Sequence, residues 1–136
     1  MSAFNAQDSL VATMILTAAA DAAMTEREAE VITSIVGLLP VFEGFDAARI
    51  AEISTAVVQM LQEESGVDQI MSLVEEGLSD DLAETAYALA CDVAAADGTV
   101  GTEEMNLLEL VRHRLEIDRL NAAAIERGAR ARHRRL

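Results

Sequence analysis

Ala94-Ala95-Ala96-Asp97-Gly98-Thr99-Val100-Gly101-Thr102-Glu103-Glu104 reads as the end of an alanine-rich helix, a tight turn, and the acidic first turn of a second helix. Asp97 closes the first helix, and Gly98 relieves the backbone where the chain leaves helical geometry. Val100 is an apolar plug that points back toward the core. Glu104 stands seven residues after Asp97, on the other arm of the hairpin, so a reversal of direction brings the two carboxylates near each other.

The pattern occurs twice. Ala18-Ala19-Ala20-Asp21-Ala22-Ala23-Met24-Thr25-Glu26-Arg27-Glu28 aligns without a gap, since Asp97 lies 76 positions after Asp21 and Glu104 lies 76 after Glu28. Met24 aligns with Val100 and Ile32 with Leu108. The spacing predicts an internal duplication, hence a pseudo-two-fold repeat. The copies differ at Gly98, which is Ala22 in the first, and at Thr25, which aligns with Gly101.

A chain of 136 residues has the length of one domain with its own core. Its composition, 51% hydrophobic but 3% aromatic, leaves alanine and the aliphatic residues to fill that core. Small side chains let helix axes approach closely, and no segment has the alternation of a strand. The expectation is an all-α, compact, single-domain bundle of about seven helices. They are read near residues 5–23, 26–39, 46–64, 69–76, 79–96, 102–115 and 119–129. The first carries an apolar stripe through Leu10, Met14 and Ala18. Phe42 and Phe45 anchor the connector after the second, and Asp46, Ser79 and Asp118 cap later helices.

Charge divides the chain. The net value is −14 with no lysine; residues 1–111 hold 21 acids against 2 arginines, and residues 112–136 hold 3 acids against 8 arginines. This predicts an acidic body at 1–129 and a basic tail at 130–136 whose neighbouring arginines repel and fray. An acidic body repels polyphosphate, which excludes nucleic acid as the main ligand. Divalent cations and basic protein surfaces are the compatible partners. The arginines of 112–135 are suited either to anionic lipid or to the acidic body itself. Cys91, the sole cysteine, allows no intrachain disulfide and fits a reducing, cytoplasmic compartment as a small core residue. The N-terminus lacks the basic region of a signal peptide, and the uncharged runs are too short to span a membrane, which takes roughly 20 residues.

Hard divalent ions take several carboxylate or carbonyl oxygens. A helix-turn-helix bend supplies an Asp from one arm, a Glu from the other and carbonyls between. The candidate ligands are Asp97, Glu103 and Glu104, then Asp21, Glu26 and Glu28. The alternating acids of an EF-hand loop are absent. The same residues also serve helix geometry alone, because Glu in a first turn suits the dipole and Thr25 with Glu28 makes a capping box. Gly101 offers no hydroxyl for such a box, so Glu104 is read as the freer of the two glutamates. No phosphate loop, His/Cys metal set or nucleophile elbow is present. His113 and His133 read as surface residues, so no catalytic activity is expected.

Ala95-Ala96-Asp97-Gly98-Thr99-Val100 with Glu103-Glu104, and more weakly Ala20-Asp21 with Met24, Glu26 and Glu28, resemble the acidic turns of the TerB family of tellurite-resistance proteins and TerB-like domains, over about residues 8–127. The resemblance implies a pseudo-symmetric bundle of about seven helices. It also implies metal binding at the acidic turns, with Asp21, Glu28, Asp97 and Glu104 facing a cation such as Ca²⁺, and a place in a stress-response complex. Peripheral contact with membrane-associated proteins is compatible with it. Asp21-Ala22 departs from the Asp-Gly of the family turn. A second reading is a metal-free interaction module that docks a basic or membrane-associated partner through its acidic face.

Overall fold

The computed structural model describes residues 3–20, 24–98 and 100–136. Among them the chain forms seven α-helices and no strand: α1 (Ala6–Ala18), α2 (Glu26–Leu38), α3 (Arg49–Leu61), α4 (Gly66–Gly77), α5 (Ala83–Ala94), α6 (Thr102–Arg114) and α7 (Arg119–Arg132), with short 3₁₀ turns at Pro40–Phe42 and Asp80–Leu82. No described helix is long and apolar enough to cross a membrane.

The hub is α1. Every residue from Asp8 to Ala18 is buried, and α2, α3, α4, α5 and α6 all pack against this helix. The sequence carries no charge between Asp8 and Ala20, so the helix is enclosed on all sides and does not present one apolar stripe. Its polar side chains are mostly satisfied internally. Thr13 Oγ1 donates to the Ser9 carbonyl and Thr17 Oγ1 to the Thr13 carbonyl, each at 2.8 Å. Back-bonding of this kind lets threonine occupy a buried helix without a distant partner.

α1 packs most extensively against α5, where Ala86, Ala90 and Ala94 are buried and permit close approach of the two axes. At the opposite end of α1, Gly77 seats α4. A Cβ there would stand 2.2 Å from Ser9 Oγ and 2.6 Å from the Phe4 carbonyl oxygen. Phe42 is buried and meets Phe45 edge to face, with centroids 5.7 Å apart, so the connector is pinned as its two aromatics suggest.

Several boundaries differ from the sequence reading. α1 stops at Ala18, with Ala19 as its C-cap, and the expected end at residues 21–23 lies outside the described residues. Asp46 accepts from the Ala48 amide at 2.9 Å, and α3 starts one turn later. α4 opens at Gly66, earlier than the expected residue 69, and there the backbone of Met60 crosses where a side chain would be. The largest departure is at the C-terminus. Instead of fraying near residue 129, α7 continues to Arg132. Arg132 pairs with Asp92 at 2.6 Å, and Arg135 donates to the Ala96 carbonyl at 2.8 Å. The acidic body holds these arginines, which offsets their mutual repulsion.

Candidate functional site at the paired acidic turns

α5 ends at Ala94, three residues before Asp97, and the Gly98 amide donates to the Ala95 carbonyl at 2.9 Å. Gly98 has φ +88°, the left-handed region where a side chain is strained. Gly101 is then the N-cap of α6. In the first turn, Thr25 is the N-cap of α2. Glu28 Oε1 accepts from the Thr25 amide at 2.8 Å, while Thr25 Oγ1 accepts from the Glu28 amide at 3.1 Å. The expected capping box is therefore formed.

Glu104 behaves differently from the sequence reading. It is not turned outward for a ligand; it is 5% exposed, and its Oε1 takes the Gly101 amide at 3.5 Å. A third instance stands at the start of α1, where Asp8 accepts from Asn5 at 3.2 Å and also binds Arg49 through both its oxygens, at 3.0 and 2.8 Å. Asp8, Glu28 and Glu104 are the three buried carboxylates among the described residues. Each is the third residue of its helix and reaches back to that helix's own N-cap. There the helix dipole and the cap hydrogen bond both favour the anion. Asp8 shares this role with Glu28 and Glu104, so the role belongs to helix starts in general and does not mark a repeat of two halves.

The turns meet. Thr25 Oγ1 donates to Asp97 across 72 residues of sequence, at 3.2 Å to Oδ2 and 3.4 Å to Oδ1. One hydroxyl thus joins the cap of α2 to the loop before α6. Asp97, Glu26 and Glu103 are exposed; Asp21 lies outside the described residues. The guanidinium of Arg135 stands next to the Asp97 turn, donating to the Ala96 carbonyl at 2.8 Å. Among the described residues no three His, Cys, Asp or Glu side chains are grouped closely enough to hold a metal. Glu28 and Glu104 cap their helices, which leaves Asp97, Glu26 and Glu103 as the exposed candidates, Asp97 being the one that joins the two turns.

A family model described as "Tellurite resistance protein TerB" matches residues 7–127, nearly the whole chain. The chain belongs to the TerB family. Its all-helical architecture is the one the resemblance implied. Comparison with curated proteins and with solved structures gave no significant match.

Away from the turns, Tyr87 of α5 donates to Glu126 of α7 at 2.5 Å, and buried Cys91 lies one helical turn further on. Burial pushes the Cys91 thiol up to about 12. That leaves it protonated at neutral pH, as an inert core thiol rather than a nucleophile.

Proposed function

We propose that this TerB chain is a non-enzymatic module that takes a divalent cation, Ca²⁺ before others, at the end of the bundle where its acidic turns meet. The setting is a stress-response complex of the kind that tellurite resistance exemplifies. The observation that supports this reading is the Thr25–Asp97 bond, which sets an exposed carboxylate of the second turn beside the capped start of α2. Asp97 is the ligand from the described residues, and its sequence counterpart Asp21 is the expected second. With the buried glutamates engaged as caps, an ion here keeps much of its water, as Mg²⁺ and weakly held Ca²⁺ do. The buried caps stiffen the turns, and the exposed acids attract the ion.

The test is thermal melting of the intact protein across a Ca²⁺ and Mg²⁺ titration. Binding to the folded state alone raises the melting temperature with ion concentration, and the Asp97→Asn variant loses that rise while keeping its fold. An intact protein whose melting temperature ignores both ions overturns the reading.

A second reading is favoured by the surface at the start of α5. There Asp80, Asp81 and Glu84 face Glu116 and Asp118 around a recess of about 500 Å³. Such a surface suits a basic partner without any ion. It predicts capture that weakens steeply with salt and is indifferent to chelator.

A further inference from the structure

α6 and α7 both pack on α5 yet scarcely touch one another. Between them lies an open cavity of about 1050 Å³. Its floor is apolar and carries small residues, Cys91 of α5 and Ala95 just past its end with Ala122 and Ala129 of α7; Met105 and Leu108 of α6 line it as well. Met105 is 59% exposed, a large apolar side chain standing at the mouth of an apolar groove.

The rim is positive. Arg112, Arg119, Arg130 and Arg134 line the same cavity. The chain has 24 acids and only 10 arginines, so most arginines are expected to find carboxylates. Arg49, Arg114 and Arg132 do, and Arg135 is held by the Ala96 carbonyl. Among the described residues Arg27, Arg112, Arg119, Arg127, Arg130 and Arg134 make no ion pair. Four of these six surround one groove. Three acids, Asp97, Glu109 and Glu126, line the groove against five arginines, and two of them are engaged, Glu126 by Tyr87 and Asp97 by Thr25.

The charge is set at the two ends of the groove. Arg112 and Arg119 flank the α6–α7 connection, and Arg130 and Arg134 stand at the far end of α7. Arg119 and Arg130 are separated by eleven residues of one helix, about 16 Å at 1.5 Å per residue. A single-headed fatty anion would satisfy one end only. We propose that this groove docks an amphipathic helix of a partner protein, with an apolar stripe at i, i+3, i+4 and i+7 and acidic residues in both its first and its last turn. The stripe fills the alanine-floored channel and the acids meet the two arginine pairs, a helix-in-groove mode of recognition. Asp97 lines the groove as well, so the peptide titration is run in chelator, where the cation reading plays no part.

The test uses the full-length protein and a fluorescent helical peptide of the length of α7, 14 residues, with Leu and Ala in the stripe and Glu in both terminal turns. The expected result is saturable binding that weakens as salt rises, with amide shifts at Leu108, Ala122 and Ala129. Arg119→Glu with Arg130→Glu weakens it by about tenfold or more. Arg27→Glu with Arg127→Glu, which alters unpaired arginines outside the groove, leaves it unchanged. Should the first pair fail to fold by circular dichroism, Arg119→Gln with Arg130→Gln replaces it, with a loss in the same direction. Equal binding by a peptide of the same composition with its stripe scrambled overturns the proposal, as does equal loss in the two arginine pairs. Capture of oleate or of phosphatidylglycerol vesicles with no binding of the peptide, or concentration-dependent dimerisation through the same residues, also overturns it.

Discussion

Tyr87 of α5 and Glu126 of α7 share a hydrogen bond of 2.5 Å across the base of the α6–α7 groove. The ring is 2% exposed. Burial first, and then the bond to Glu126, drives the phenol's ionisation well above its ordinary value. Cys91, on the same helix, is pushed up to about 12, again by burial first. Both groups keep their protons in the folded state, whereas in the unfolded chain a cysteine ionises near ~8.5 and a tyrosine near ~10. Above those values the unfolded state binds fewer protons than the folded state, so stability falls as pH rises. Stability from these two groups is complete below about pH 8 and is lost progressively above it. Urea midpoints measured between neutral and strongly alkaline pH check this. Cys91→Ala delays the onset, and absorbance of the sole tyrosine stays that of the phenol until the chain unfolds.

Thr25 is both the N-cap of α2 and the donor to Asp97. Thr25→Ala is expected to destabilise by about 1 kcal/mol through the cap alone. The link to Asp97 is exposed and long, so its own contribution is expected to be about 0.5 kcal/mol. A double-mutant cycle with Asp97→Ala isolates that coupling. Thr25→Ser retains both bonds and most of the stability. Zero coupling in the cycle would mean that the turns are neighbours without being joined.

Two glycines in helices should respond in opposite directions to alanine. At Gly37, near the end of α2, nothing lies within 4 Å of an added Cβ. Gly37→Ala reduces the freedom of the unfolded chain at no steric cost and should stabilise by about 0.4–1 kcal/mol. At Gly77 the same methyl meets Ser9 Oγ and the backbone of Phe4. Gly77→Ala should destabilise by about 1–3 kcal/mol, because α4 must back away from α1. Denaturant melts of the two variants read the difference directly.

The class of fold was legible because helix signals are local. Thr25 with Glu28, Gly98 in its left-handed turn and the paired Phe42 and Phe45 all do what their side chains prescribe. What escaped the sequence depends on neighbours distant along the chain. A threonine bonding an aspartate 72 residues away has no local signature. Nor does Gly66, whose role is fixed by the Met60 backbone crossing it. The missing hydroxyl at Gly101 makes Glu104 the freer glutamate in the sequence, yet the Gly101 backbone amide serves as a partner to it. The centrality of α1 could have been anticipated, since an uncharged run from Ser9 to Ala20 is too uniform to have a solvent face. The groove was hidden because two of its arginines, Arg130 and Arg134, belong to a segment whose docking follows from Asp92 and the Ala96 carbonyl.

That docking sets the last prediction. The C-terminal residues end α7 against the last turn of α5. Arg132 and His133 both reach Asp92, at 2.6 and 3.3 Å, and Arg135 satisfies a carbonyl at the α5 terminus. Cations at a helix C-terminus complement its dipole, and a carbonyl left without a helical partner gains a charged donor. Arg132 is 55% exposed, so solvent screens much of its pairing with Asp92. Deleting residues 130–136 is therefore expected to cost about 1 kcal/mol in total. The loss should concentrate at the end of α5, as faster amide exchange at Ala95, Ala96 and Gly98 with α1 unaffected. A tail that frayed in solution would instead leave both the melting temperature and those amides unchanged on deletion. Amide exchange of the full-length and shortened chains decides between the two, because the bond from Arg135 to Ala96 exists only if the tail is seated.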